Sequence, residues 1–239
     1  MKKILPILFI TFTLTSCQSQ TMDLSIQYKG DTYIGFDDLE EANKYKVSNG
    51  FGNGGMFLSR WDKENVKLNN GIGELSLYDK DNINYGSELR SLEGFQYGYF
   101  GGRVKTFKKS GTVQSIFTYN GGRYAHDEID IEFLGKNTTK VQFNYYHNGV
   151  GGHEYLYDLG FDSSEEYHDY GFKWEKDRIT WFVDFVAVYQ VRAKLPQWGY
   201  FYINVWAGTS KVKNWLGEYV SDNDVHTACY DYLSYAPLE

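Results

Sequence analysis

The chain has 239 residues, a formal net charge of −7 and 18% aromatic residues. Phosphate binding needs clustered Lys and Arg, so this balance argues against nucleic acid and suits a neutral polymer better. The 22 Tyr and 6 Trp can serve a β-rich core and can also stack against sugar rings.

At the start of the chain, Lys2-Lys3 precede the apolar run Ile4 to Leu14, which is too short to span a bilayer as a helix. Residues 1–16 therefore read as a signal peptide. Leu14-Thr15-Ser16-Cys17 looks like a bacterial lipobox, which would make Cys17 the lipidated N-terminus and 17–32 a polar tether. The alternative is an ordinary secretory signal with an incidental cysteine. Several acyl chains anchor stably where one does not, so the expected location is extracytoplasmic, on the outer membrane or cell surface. Cys229 would then be a lone buried thiol.

Asp37 to Ala42 is the one stretch of helical composition. After it come short β-rich runs separated by Gly, Asn, Asp and Lys turns. They are Phe100 to Phe107, Val113 to Tyr119, Ile129 to Leu134, Val141 to Tyr146, Tyr170 to Trp174, Ile179 to Asp184, Ala187 to Arg192 and Tyr200 to Trp206. Many evenly spaced strands without helical crossovers predict an all-β antiparallel sandwich in one domain over 33–239.

The third of these runs carries the functional signal. In His126-Asp127-Glu128-Ile129-Asp130-Ile131-Glu132-Phe133, successive side chains of a strand alternate in direction. Glu128, Asp130 and Glu132 share one face; Ile129, Ile131 and Phe133 share the other. Like charges in a row, once buried, raise the pKa of at least one member, and a carboxyl group can then be an acid at neutral pH. Two carboxyls in unlike protonation states are the machinery of glycoside hydrolysis. By strand rise alone Glu128 and Glu132 stand about 13 Å apart, whereas a retaining glycosidase holds its pair at roughly 5 to 5.5 Å. The strand must therefore belong to a curved sheet whose hollow face is the cleft.

The run Glu128 to Gly135, followed by Lys140-Val141-Gln142-Phe143-Asn144-Tyr145-Tyr146 and Asn148-Gly149-Val150-Gly151-Gly152-His153-Glu154, resembles the bacterial lichenases of glycoside hydrolase family 16. These are endo-1,3-1,4-β-glucanases, and the resemblance runs from about Phe36 to Leu233. It implies a β-jelly roll of two curved antiparallel sheets with the cleft on the concave face. It further implies Glu128 as nucleophile, Asp130 as assisting carboxylate, Glu132 as acid and base, retention at the anomeric carbon and no catalytic cofactor. The expected partner is a β-glucan, acted on by a monomer.

The same resemblance carries substrate contacts onto Asn53 with its neighbour Phe51, and onto Glu88, Arg90, Phe117, Tyr119, Asn144, Tyr146, Asn204 and Trp206. Turn formation is the alternative for Asn53, a surface ion pair for Glu88 and Arg90, and sandwich core for Phe117. Asp231 matches the single side-chain ligand of a structural calcium ion in related enzymes, although a hard cation wants six to eight oxygens. The five His lack zinc-site spacing.

The chain also departs from the pattern. His126 stands where lichenases commonly have Trp, on the Glu128 side of the strand, and should alter a subsite. Asp184-Phe185 replaces a common Asp-Gly hairpin, and the positions of a disulfide frequent in relatives are Ser59 and Gly86. The His-Asp-Glu-Ile-Asp run also resembles xyloglucan hydrolases and transglycosylases of the same family, which remain the main alternative. A non-catalytic glycan-binding lipoprotein on the same sheet is the rival of another class, and it would be expected to lack a catalytic Glu.

Overall fold

The computed structural model describes residues 32–34, 36, 45–121 and 125–238. The signal segment, Cys17, the tether and the helix expected over Asp37 to Ala42 lie outside these residues. Within them the chain forms sixteen strands, one α-helical turn and the short 3-10 turns Lys63–Asn65 and Ser210–Val212. The strands are β1 (Thr32–Ile34), β2 (Tyr45–Val47), β3 (Arg60–Trp61), β4 (Val66–Asn69), β5 (Ile72–Lys80), β6 (Ile83–Phe95), β7 (Gly98–Lys105) and β8 (Thr112–Tyr119). They continue with β9 (Glu128–Leu134), β10 (Lys140–Tyr146), β11 (Tyr155–Asp158), β12 (His168–Glu175), β13 (Arg178–Val183), β14 (Val186–Val191), β15 (Gly199–Ala207) and β16 (His226–Ala236), and the helical turn α1 is Lys213–Leu216.

Hydrogen bonding orders them β11-β10-β9-β8-β15-β6-β5-β16-β7-β12-β13-β14 in one strongly curled antiparallel path. The path folds over at the β5–β6 hairpin, where only Tyr78 to Lys80 and Ile83 to Tyr85 pair. This gives two layers. The first runs from β6 to β11, with β2 added along β6; the second runs from β5 to β14, with β4 along β5 and β1 along β16.

The alternation in each strand explains the core between the layers. Ile129, Ile131 and Phe133 of β9 are wholly buried, as are Val141 and Phe143 of β10. Across from them stand Tyr170, Phe172 and Trp174 of β12 and Ile179 and Trp181 of β13. Phe133 meets Tyr170 edge-on at 4.6 Å and Phe143 stacks on Trp181 at 5.7 Å. Two hydrogen bonds tie the layers directly: Trp181 Nε1 donates to the Asp130 carbonyl at 3.0 Å, and Tyr230 Oη donates to the Ser115 carbonyl at 3.2 Å. Strand β9 is therefore fixed from behind by an indole.

Ser59 and Gly86 are neighbours, as the resemblance implies: Trp61 pairs with Gly86 in the β3–β6 bridge, and a Cβ on Gly86 would lie 3.1 Å from Ser59 Cβ. The same Cβ would also stand 2.5 Å from the Val205 carbonyl, so glycine is required there. In place of a bridge, Ser59 Oγ accepts from the Ala207 amide at 2.8 Å and donates to Asn84. The reading of Cys229 as a lone thiol is corrected. It is buried, as expected, but disulfide-bonded, with its partner outside the described residues.

Candidate active site

Strand register assembles the site. Opposite Glu128, Asp130 and Glu132 stand Tyr119, Phe117 and Ser115 of β8 on one side and Tyr146, Asn144 and Gln142 of β10 on the other. Beyond β8, β15 places Tyr200, Tyr202 and Asn204 opposite the same three β8 residues, and β6 places Arg90 and Glu88 opposite Tyr202 and Asn204. Directly opposed residues project to the same face. One row thus runs Gln142, Glu132, Ser115, Asn204, Glu88, and the next runs Asn144, Asp130, Phe117, Tyr202, Arg90.

Asp130 is buried at the centre of the carboxylate row, Glu128 and Glu132 are half-buried at its ends, and among the described residues no Lys or Arg forms an ion pair with any of the three. Burial is the largest cause raising the Asp130 carboxyl well above its usual range, and the charges of Glu128 and Glu132 add to it. Asp130 is only 4% exposed and shares a hydrogen bond with Glu128. Burial also pushes Glu132 up to about 8, aided by the charges of Glu128 and Glu154 and opposed by a 2.6 Å hydrogen bond from Gln142 Nε2 to Glu132 Oε2. With its carboxyl near 8, Glu132 holds a proton at neutral pH, and burial with two like-charged neighbours pushes Asp130 in the same direction. A protonated carboxyl at one end of the row is what general acid catalysis requires.

Each end of the row has its own partner. His126 Nε2 lies 3.2 Å from Glu128 Oε2, with its ring 5.2 Å from Tyr119 and 5.1 Å from Tyr146. That position puts His126 at the Glu128 end of the row, between Tyr119 and Tyr146. Behind it, buried Asp127 accepts from the Asn148 and Gln197 amides, both at 3.0 Å, and clamps two loops at this end. At the other end Gln142 holds Glu132, and Trp215 of α1 holds Gln142 at 3.2 Å.

The remaining expected contacts divide into three groups. Phe117 stacks on Tyr202 at 4.9 Å, and Arg90 lies 4.0 Å from the Tyr200 ring centre. Asn144 and Tyr146 flank the row, and Gly151 must be glycine because a Cβ there would come within 2.4 Å of the Tyr146 ring. Glu88 is buried and raised by that burial, accepting from Ser48 Oγ at 2.7 Å and Asn204 Nδ2 at 3.4 Å. It is thus held in a buried hydrogen-bond network and not in a surface ion pair.

Trp206 shares the face but is not the open stacking platform expected of it. It is 4% exposed, covered by Phe57 at 4.1 Å and flanked by Trp215 at 6.0 Å in a small apolar cluster with Trp61, Val113, Leu134 and Leu216. Asn53 lies on the loop over this cluster, where its Oδ1 accepts from the Trp61 indole at 3.0 Å, and its neighbour Phe51 is half exposed. Asp231 lies on the second layer, with Oδ2 3.5 Å from Arg103 Nε. Among the described residues no group of three acidic, His or Cys side chains could hold a metal.

Sequence reasoning overlooked Gln142, Ser115, Tyr202 and Trp215. The first three sit two positions from named residues on the same strand faces, so alternation could have found them. Trp215 reaches Gln142 from 73 residues away and carried no local signal.

Comparison with known proteins agrees with this architecture. The profile of the glycosyl hydrolases family 16 matches residues 53–226. A β-glucanase of Bacillus amyloliquefaciens is 38% identical over 98% of this chain and 99% of its own length. A β-1,3-1,4-glucanase (lichenase) from a mouse hindgut metagenome superposes with a TM-score of 0.81 at 42% identity, covering 87% of this chain and 99% of the other. The Bacillus licheniformis β-glucanase superposes with a TM-score of 0.82 at 38% identity, over 89% and 100% of the two chains. With the fold, the carboxylate row and these likenesses together, the chain belongs to glycosyl hydrolase family 16.

Proposed function

We propose that the chain is an endo-acting β-glucanase that cleaves mixed-linkage 1,3-1,4-β-glucan with retention at the anomeric carbon. The observation that carries the reaction type is the row itself: Glu128, Asp130 raised by burial and Glu132 raised to about 8, on one sheet face. The substrate class follows the lichenase likeness over nearly the whole described chain.

In this reading Glu128 attacks the anomeric carbon while Glu132 gives its proton to the departing glycosidic oxygen, forming a covalent glycosyl-enzyme. Asp130 hydrogen-bonds Glu128 and keeps a second negative charge off the row. Glu132, now a carboxylate, takes a proton from water. The water attacks the anomeric carbon from the opposite side and releases Glu128. No metal enters the sequence of steps.

The test is parallel product release from mixed-linkage glucan, xyloglucan, laminarin and carboxymethylcellulose, resolved by size. Short oligosaccharides from mixed-linkage glucan alone are expected. Xyloglucan products would move the assignment to the transglycosylase-like branch, which the run His126 to Asp130 also resembles, and binding without products would leave a glycan-capture protein.

The N-terminal segment supports an extracytoplasmic lipoprotein anchored through Cys17. The chain has 2 Cys, so the disulfide at Cys229 competes with this anchor. A sulfur in a lipid thioether cannot also be in a disulfide, so the mass of protein extracted from membranes decides the anchor. A diacylglyceryl increment with a free Cys229 thiol supports it, and an unlipidated Cys17 rules it out.

A further inference from the structure

Trp215 Nε1 lies 3.2 Å from Gln142 Oε1, and Gln142 Nε2 lies 2.6 Å from Glu132 Oε2. An indole N–H is a donor only, so it can face only the oxygen end of the amide. That fixes an N–H, and not a carbonyl, against Glu132. Helix α1 is itself held in place: Leu216 is fully buried and the Trp215 ring lies 6.0 Å from Trp206.

We propose that Trp215, acting through Gln142, confines the transferable proton of Glu132 to Oε1. The proposal rests on Glu132 being the acid and base. A proton on Oε2 would leave the Gln142 N–H, 2.6 Å away, facing a hydroxyl oxygen, which is a poorer acceptor than a carbonyl oxygen. Oε2 therefore accepts from Gln142 in both protonation states. Oε1, to which no hydrogen bond is made by the described residues, carries the proton to the leaving oxygen and later receives one from water. The amide also stabilises the carboxylate left after proton transfer.

The titratable groups whose charges bear on Glu132 are Glu128 beside it on β9 and Glu154 beyond β10, and Asp130 and Tyr146 couple to the same row. β8 presents Ser115 and α1 presents Trp215, neither of which titrates. Trp215 and Gln142 are thus positioning residues: they set which oxygen of Glu132 is loaded.

The discriminating variant is Trp215→Phe, which keeps a ring against Trp206 and removes the N–H. The freed amide can turn its carbonyl toward Glu132, which then spends its proton on Gln142. On the polysaccharide, kcat should fall about tenfold or more, within the range that general acid catalysis supplies. The basic limb of the pH profile should move upward. On an aryl β-glycoside with a dinitrophenolate leaving group, which departs without protonation, the rate of glycosylation should change less than about twofold.

Equal losses on both substrates with an unmoved basic limb would overturn the proposal and leave Trp215 a packing or stacking residue. Gln142→Leu, which removes the donor outright, gives a second reading if Trp215→Phe does not fold: an upward shift of the basic limb is expected, and an unmoved limb overturns the proposal. Glu132→Gln is measured alongside. Full turnover of the polysaccharide by that variant would remove the acid role of Glu132 itself, a failure distinct from that of the Trp215 chain.

Discussion

The cleft face of the first layer and the outer face of the second both bury carboxyl groups on alternating strand positions, and their neighbours differ in sign. On the outer face, Arg103 of β7 lies 3.2 Å from Asp169 of β12 and 3.5 Å from Asp231 of β16, and Tyr232 Oη donates to Asp169. Burial raises Asp169, but Tyr232 and Arg103 oppose the rise. On the cleft face burial raises Asp130, and Glu128 and Glu132 reinforce the rise. Compensated charge makes structure. Reinforced burial favours the protonated form, and it brings Glu132 to about 8, the state an acid catalyst needs.

The sharpest way to break this comparison is to neutralise each face in turn. Glu128→Gln and Glu132→Gln should each cut kcat on polysaccharide by about 10³-fold or more, with folding retained by circular dichroism. Unchanged turnover in either would end the assignment of roles. Arg103→Met should do the reverse, because removing one partner of a buried pair strands a charge and costs roughly 3–5 kcal/mol of stability. Its kcat per folded molecule should stay at the wild-type value; a kcat loss as large as its stability loss would show that the two faces are not separate.

These two faces were not equally legible in the sequence. Of the nine strands from β7 to β15, all but β11 follow from alternating β-branched and aromatic runs between turn residues, and β9 displayed its acidic face directly. β6 was harder, because Ser87, Glu88, Arg90 and Ser91 make a polar cleft strand that also turns the corner between layers. β16 buries tyrosines where aliphatics would signal a strand, with Tyr230 and Tyr232 both under 3% exposed. Alternation assigned Trp206 to the correct face yet could not reveal that Phe57 covers it. Contacts from a distant loop or helix, as with Trp215, leave no local periodicity to read.

A smaller effect concerns the pH dependence of stability. Glu132 is raised from 4.5 to about 8 on folding, so the folded state holds this proton more tightly than the unfolded chain. Its contribution is fully present below about 4.5 and is lost as pH rises through about 8. Stability should therefore decline across that window, and Glu132→Gln, which has no proton to lose, should flatten the decline. Thermal unfolding of both proteins at several pH values checks this; parallel slopes would mean that Glu132 is not the group responsible.

The smallest expected effect lies in the turn beside the outer cluster. Val183 pairs with Val186, so Asp184-Phe185 is a two-residue hairpin loop, and both residues have positive φ, 46° and 66°. That is the type I′ conformation, which favours Asn, Asp or Gly. Asp184 also ties the turn to β12, because it accepts from the Asp169 amide at 3.1 Å and lies 2.9 Å from His168 Nδ1. Phe185 has the left-handed backbone without a residue type suited to it, at a cost of roughly 1–2 kcal/mol. Glycine would relieve this and return part of the gain as unfolded-state entropy, about 0.5–1 kcal/mol. Phe185→Gly should thus stabilise the fold by at most about 1 kcal/mol with kcat unchanged, because the turn belongs to the layer that does no chemistry. A loss of stability would mean that the Phe185 side chain contributes more through packing than its backbone strain costs.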